Sequence, residues 1–177
     1  RQNRSSGEEL MADYNEYKFE QELCEALAAS GWLYSKNDDG YDQALALYPA
    51  DVYAWLSETQ NDELAKLLKA SDPAQAQEKA KTALVQRLAK SLDQPLSQGG
   101  GTLSVLRKGF KDGAAKFEMC QFKPADNLNP ATWELYSKVR LRVVQQVYYS
   151  KDNRNSIDLV LFVNGLPVAT VELKTDF

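Results

Sequence analysis

Histidine is missing from all 177 residues. Its absence removes imidazole-assisted nucleophiles and His-ligated zinc together. Any catalysis must rest on carboxylates, lysine, tyrosine or a metal held by oxygen. Cysteine is almost as scarce, with Cys24 and Cys120 alone. Two isolated cysteines read as buried thiols rather than a disulfide, which suits the reducing cytoplasm. No apolar run approaches the roughly 18 residues of a membrane span. The opening R-Q-N-R-S-S-G-E-E is polar and has no signal-peptide core. Gly99-Gly100-Gly101 lacks a following Lys-Ser/Thr, so it is a linker and not a phosphate loop. No internal repeat or low-complexity segment is present.

What the chain does hold is one ordinary domain's worth of core, with 44% hydrophobic and 26% charged residues. The charge is uneven. Residues 1–101 carry 10 basic and 17 acidic side chains, and residues 102–177 carry 11 and 8. A net charge of −4 argues against a strong autonomous DNA binder, because nonspecific affinity comes from neutralising phosphates. A module fed with DNA by another subunit does not need that affinity.

Residues 1–12 read as a loose, flexible tail, and 13–177 as a single domain with a helical half (13–96) and a mainly β half (101–177). Helical spacing of Phe19, Leu23, Ala26, Leu27 and Ser30 predicts a helix over 14–30, stopped at Gly31. Lys36–Gly40 is a turn, and Tyr41–Tyr48 fits no one element. Pro49 opens a helix to Thr59 that continues over Asn61–Lys69. Asp72-Pro73 predicts a further helix to about Leu92, with Asp72 as its cap and Ala76, Ala80, Ala83, Leu84, Leu88 and Leu92 inward. After residue 101 the period changes to two. Thr102–Phe110 and Ala115–Phe122 read as strands joined near Asp112-Gly113. Asn129-Pro130 opens a short helix to about Ser137. Val139–Tyr149 is a long strand with Val139, Leu141, Val143 and Val147 on one face, and Lys151–Asn155 is a polar turn. Helices followed mostly by strands predict an α+β fold of α/β/α type, a mixed sheet flanked by helices.

The most informative segment is the last. Two apolar runs, Asp158–Val163 and Leu166–Lys174, flank Asn164-Gly165, a strong hairpin signal. Asp158, Glu172 and Lys174 stand at the outer ends of this apolar hairpin. Carboxylates beside an apolar sheet are costly unless paired or bound to a cation, and Mg²⁺ takes one or two carboxylates plus water and phosphate. On spacing alone, solvated ends joined by a salt bridge are the simpler account. Parity adds a demand. Glu172 and Lys174 share a face, but a regular two-residue turn pairs Val163 with Leu166 and turns Asp158 away. A bulge or odd-length loop near Gly165 or Pro167 is therefore predicted.

Asp-x13-Glu-x-Lys on a hairpin resembles the PD-(D/E)xK nuclease motif, with Ile157 where that motif has proline. The extended block I-D-L-V-L-F-V-N-G-L-P-V-A-T-V-E-L-K resembles the N-terminal nuclease domain of the restriction (R) subunit of type I restriction enzymes. So do F-E-Q-E-L-C-E-A-L-A-A-S-G-W (19–32), A-D-V-Y-A-W-L-S-E-T-Q (50–60), G-T-L-S-V-L-R-K-G-F (101–110) and V-V-Q-Q-V-Y-Y-S (143–150), nearly the whole chain.

The resemblance implies a Mg²⁺-dependent endonuclease that hydrolyses double-stranded DNA. Asp158 and Glu172 would hold the metal, with the Leu173 carbonyl as a further ligand. Lys174 would orient the attacking water or offset charge on the phosphate. It also implies methylation and specificity subunits as partners, a cytoplasmic location, no membrane, and an ATP-using motor domain beyond this chain. A Gln-x-x-x-Tyr helix common in related nucleases would follow residue 177, so the fragment is expected to be truncated and inactive alone.

Glu20 is a second catalytic candidate, since many such domains place a helical glutamate by the site; an exposed helix acid is an equal alternative. Gln146 at mid-strand is a candidate for the site or for DNA, or else a satisfied polar residue. Lys138, Arg140 and Arg142 alternate along one strand face, able to touch phosphate or simply solvated, and Arg107, Lys108 and Lys111 divide the same way. Trp32, Trp55 and Trp133 read as packing. Two rivals stand beside this reading. One is another PD-(D/E)xK nuclease of repair or phage defence; the other is a noncatalytic nucleic-acid-binding or assembly domain on the same fold.

Overall fold

A computed structural model describes residues 5–69, 71–150 and 155–174, with side chains from Glu16 onward. Residues 1–4 of the expected tail and 151–154 of the expected polar turn lie outside the described residues. Helix α1 spans Ser5–Ala29, so helix begins inside the stretch expected as a tail. It ends where the Trp32 N–H returns to the Leu27 carbonyl at 3.1 Å, around Gly31 at φ +95°, a left-handed stop that glycine adopts without strain.

The sheet is mixed, in order β1-β4-β5-β6. Strand β1 (Leu33–Ser35) pairs parallel with β4 (Leu141–Tyr148). Strand β4 pairs antiparallel with β5 (Ser156–Val163), and β5 with β6 (Leu166–Val171). A separate two-stranded hairpin, β2 (Phe110–Asp112) with β3 (Ala115–Phe117), stands apart. With the helices, this is the α+β architecture expected.

Helix α1 covers one sheet face, where Cys24, Leu23 and Leu27 pack on Val143, Leu159, Leu161 and Val171. Tyr41 and Tyr48 pack on the other face against Val144, Val147, Val160 and Phe162. The largest core joins α2 (Pro49–Thr59), α3 (Asn61–Ala65), α4 (Ala74–Leu92) and α5 (Thr102–Lys108) to the β2–β3 hairpin and Leu166. Helix α6 (Pro130–Ser137) starts at Asn129, whose side chain accepts the Ala131 N–H at 3.1 Å, as Asn129-Pro130 predicts.

Several expectations are corrected. Thr102–Lys108 is helix, not strand, framed by Gly101 (φ +83°) and Gly109 (φ +71°). Seven residues that bury Val105 and Leu106 are too short for hydrophobic period to separate the two states. Helix α4 is capped at Pro73, without the Asp72 side chain. Its buried face is Leu84, Val85, Leu88 and Ala89, while Ala76 is exposed. The strand expected over Ala115–Phe122 stops at Phe117.

The hairpin carries the bulge that parity predicted. Its turn is the two residues Asn164-Gly165, with Val163 opposite Leu166 and Phe162 opposite Pro167. The pairing then slips, Leu161 meets Ala169, and Val168 is left as the extra residue of a bulge. The ladder then runs to Leu159 opposite Val171, one step short of Asp158 and Glu172.

A second irregularity lies between β4 and β5. Val144 and Val147, three apart, join the same cluster. On the partner strand, Leu159 packs under α1 while Ile157, two apart, packs on the opposite face. Alternation therefore slips by one in both strands at the same level. The slips cancel, since Gln145 faces Leu159 and Val147 faces Ile157 without a change of register. The backbone cost falls on Gln146, at φ +52°, uncommon for a non-glycine residue. The expected single face of Val143 and Val147 is thus broken.

Candidate active site

The double slip decides which side chains reach α1. Gln145 and Gln146, neighbours in sequence, both point to the α1 side. Gln145 accepts the Tyr34 hydroxyl at 2.5 Å. Its own Nε2 is buried with no partner. The Gln146 Nε2 donates to both oxygens of Glu20, at 3.0 Å each. The Ser156 hydroxyl donates to Gln146 Oε1 at 2.7 Å.

Glu20 is only 2% exposed, so it is not the exposed helix acid that sequence left as an equal alternative. Burial pushes its carboxyl above the usual range, the Gln146 hydrogen bond opposes that, and the nearby charge of Asp158 pushes it up again. Asp158 lies in the gap of the β4–β5 ladder opposite Gln146 and accepts the Leu173 N–H at Oδ2, 2.6 Å away. Glu20, Gln146 and Asp158 thus converge from α1, β4 and β5.

Glu172, Leu173 and Lys174 follow the last residue of β6, with Glu172 and Lys174 exposed. Among the described residues no group of three or more His, Cys, Asp or Glu is close enough to hold a metal ion. The donors still suit Mg²⁺ chemically. The charge of Asp158 disfavours that of Glu20, and neither carboxylate is ion-paired among the described residues. A hard cation that takes one or two carboxylates relieves that repulsion.

The basic candidates lie elsewhere. Lys138 is not on the strand; it caps α6 and pairs with Glu134 at 2.9 Å. Arg142 grips Asp51 with Nε at 2.5 Å and Nη2 at 2.9 Å. It also donates to the Ser35 hydroxyl at 2.8 Å and stacks 4.1 Å over the Tyr48 ring. Arg140 donates to the same Asp51 at 3.1 Å and faces Glu58 at 3.6 Å. Asp51 is 1% exposed, so the two arginines clamp α2 to the start of β4. Sequence reading missed Asp51; an acid in the first turn of an otherwise buried helix was the signal available.

Cys24 and Cys120 are free thiols. Burial, then the charge of Glu20, pushes Cys24 up to about 11, which keeps it an inert thiol. Trp55 is core, with its indole N–H on the Glu118 carbonyl at 2.7 Å, and Trp133 packs edge-on against Tyr136.

These features define an α+β domain with a mixed sheet, a buried glutamate under its first helix and a bulged β5–β6 hairpin. Residues 13–177 match the family described as the type I restriction enzyme R protein N terminus. The chain belongs to that family, the N-terminal region of the restriction subunit of a type I restriction system. Neither a curated protein nor a solved structure matches it. No described helix is long and apolar enough to cross a membrane.

Proposed function

We propose that this domain is a Mg²⁺-dependent PD-(D/E)xK endonuclease that hydrolyses phosphodiester bonds of double-stranded DNA, with Asp158, Glu172 and Lys174 as its working residues. The observation that carries this reading is the bulge at Val168. It shifts the register so that Leu159 meets Val171, one step short of Asp158 and Glu172, and the Leu173 N–H then bonds Asp158, which supports a site at this end of the hairpin.

Asp158, held by the Leu173 N–H, would lend a carboxylate oxygen to the metal. Glu20 and Glu172 are the further carboxylates. Bound Mg²⁺ would neutralise charge on the scissile phosphate and favour ionisation of the attacking water. Lys174, exposed beyond β6, would donate to a phosphate oxygen or orient that water. Partners are the methylation and specificity subunits, and the DNA is delivered by an ATP-using motor outside residues 1–177. The setting is the cytoplasm, which the two free thiols suit.

A second reading, a noncatalytic DNA-binding or assembly domain, is favoured by one observation: no three-acid cluster forms among the described residues. Plasmid cleavage by the assembled enzyme with Mg²⁺ and ATP decides between them. Lys174→Ala and Asp158→Asn should each abolish cleavage while complex assembly persists. Cleavage at the wild-type rate by either variant would sink the nuclease assignment.

A further inference from the structure

Gln146 occupies a conformation that a glutamine in mid-strand does not need for packing. Its backbone is left-handed at φ +52°, and alternation slips on both strands to accommodate it. The result is that its carboxamide reaches across to α1 rather than away from it. There one NH₂ group serves both Glu20 oxygens, at 3.0 Å each. A carboxamide is two-faced: rotated by half a turn it presents oxygen to the carboxylate and repels it. The Ser156 hydroxyl, at 2.7 Å from Oε1, removes that freedom, because it marks one end of the amide as the acceptor. Ser156 lies two residues before Asp158 on β5, so the strand that carries Asp158 also sets the orientation of the group holding Glu20.

We propose that Gln146 is a positioning residue, oriented by the Ser156 hydroxyl, that holds the Glu20 carboxylate facing Asp158. The relay runs Ser156 to Gln146 to Glu20 and joins β5, β4 and α1. Gln145 stands beside it: its oxygen is taken by Tyr34, and its amide also opposes the rise of the Glu20 carboxyl. The inference rests on the nuclease reading above and names a residue that supports the same site without touching substrate. Backbone strain kept where a side chain must be aimed is a recurring feature of functional sites.

Asparagine separates the amide from the backbone. Gln146→Asn keeps a residue that tolerates the left-handed region but shortens the side chain by one methylene, out of reach of Glu20. It should stay folded but melt below the wild type, since the buried Glu20 carboxylate loses two hydrogen bonds. In the assembled enzyme the Mg²⁺ concentration for half-maximal cleavage should rise about 10-fold or more, the size typical of losing a group that orients a ligand. Ser156→Ala should move that midpoint in the same direction, and Ser156→Thr, which restores the hydroxyl, should return it.

The Gln146 side-chain NH₂ signals in a ¹H–¹⁵N spectrum of this chain give a readout free of catalysis. They should shift in Glu20→Gln and in Ser156→Ala and stay in place in Ser156→Thr. An unchanged Mg²⁺ midpoint in Gln146→Asn, beside an inactive Asp158→Asn, would overturn the positioning role and leave the nuclease reading intact. NH₂ signals indifferent to Ser156→Ala would also overturn it. Full cleavage by Asp158→Asn would remove the nuclease reading, and the positioning role with it.

Discussion

The Leu173 N–H donates to Asp158 Oδ2 at 2.6 Å, tying the start of β5 to the chain just beyond β6. The bond depends on the Val168 bulge, since without the slip the register would place a different backbone amide opposite Asp158. Asp158→Asn keeps an acceptor for this amide and should fold as the wild type does, with loss confined to metal and DNA chemistry. Asp158→Ala strands the amide and should cost about 1–3 kcal/mol. Thermal melts with and without Mg²⁺ check both halves: the wild type should gain stability from the ion, and neither variant should. An equal gain in Asp158→Asn would leave the metal assignment without support.

The Asn164-Gly165 turn does more than reverse the chain. Asn164 is fully buried at φ +49°. Its oxygen accepts the Arg140 N–H at 2.7 Å, and its Nδ2 donates to the Met119 carbonyl at 2.9 Å. Asn164→Ala should therefore cost roughly 2–4 kcal/mol, from two buried backbone groups left unpaired. Gly165 cannot be replaced cheaply either: at φ +83° an added Cβ would lie 2.5 Å from the Tyr48 carbonyl oxygen and 2.9 Å from the Val52 nitrogen. Denaturant melts of Asn164→Ala and Gly165→Ala should both fall well below the wild type. A midpoint shift in Asn164→Ala no larger than that of an exposed turn asparagine would refute the anchoring role.

Asp51 predicts a larger loss. Among the described residues it is the one carboxylate bonded to both Arg140 and Arg142, and removing it leaves two guanidinium groups without their shared partner. Asp51→Ala should cost about 3–5 kcal/mol, the usual consequence of breaking a buried pair from one side. Arg140→Gln should cost less, because the Arg142–Asp51 contact survives. Comparable losses in the two variants would mean that the clamp is not centred on Asp51. The same geometry predicts that neutralising Arg140 changes the salt dependence of DNA binding little, in contrast to a phosphate-contacting arginine.

What sequence made legible follows the reach of local rules. The hairpin was visible because alternation and Asn-Gly act within a few residues. Its bulge was deducible from the premise that three charged residues share a face, which a regular turn forbids. Helices α2 and α6 announced themselves through Pro49 and Asn129-Pro130. Helix α5 was not visible: Thr102–Lys108 is short, and only its framing by Gly101 and Gly109 with Arg107 and Lys108 in the last turn points to helix. Strand β1 has three residues and exists through its parallel partner Arg142–Val144. The convergence of Glu20 with Gln146, 126 positions apart, needs a left-handed residue in mid-strand that no periodic pattern announces. The Arg140–Arg142 alternation was seen, but which acid it served depended on how α2 docks.

Glu20 yields a pH dependence whose sign can be worked out. Burial, the largest influence, and then the Asp158 charge raise its carboxyl above the ordinary 4.5, with the Gln146 hydrogen bond opposing them. The native state therefore holds the Glu20 proton more tightly than the unfolded chain does. The stability this contributes is fully present below the unfolded value and is lost as pH rises through the folded one. In the wild type, unfolding free energy should decline from this source as pH rises above about 4.5. Glu20→Gln keeps an oxygen for the Gln146 amide but cannot ionise, so its curve should lack that decline. The difference between variant and wild type should grow with pH through this window and then level off. Denaturant titrations across a pH series, without divalent metal, measure it; parallel curves would show that Glu20 ionises as freely in the fold as in the unfolded chain. Added Mg²⁺ gives the complementary result, since a cation beside Glu20 and Asp158 favours both charged forms. It should flatten the wild-type decline and leave Glu20→Gln nearly unchanged in slope.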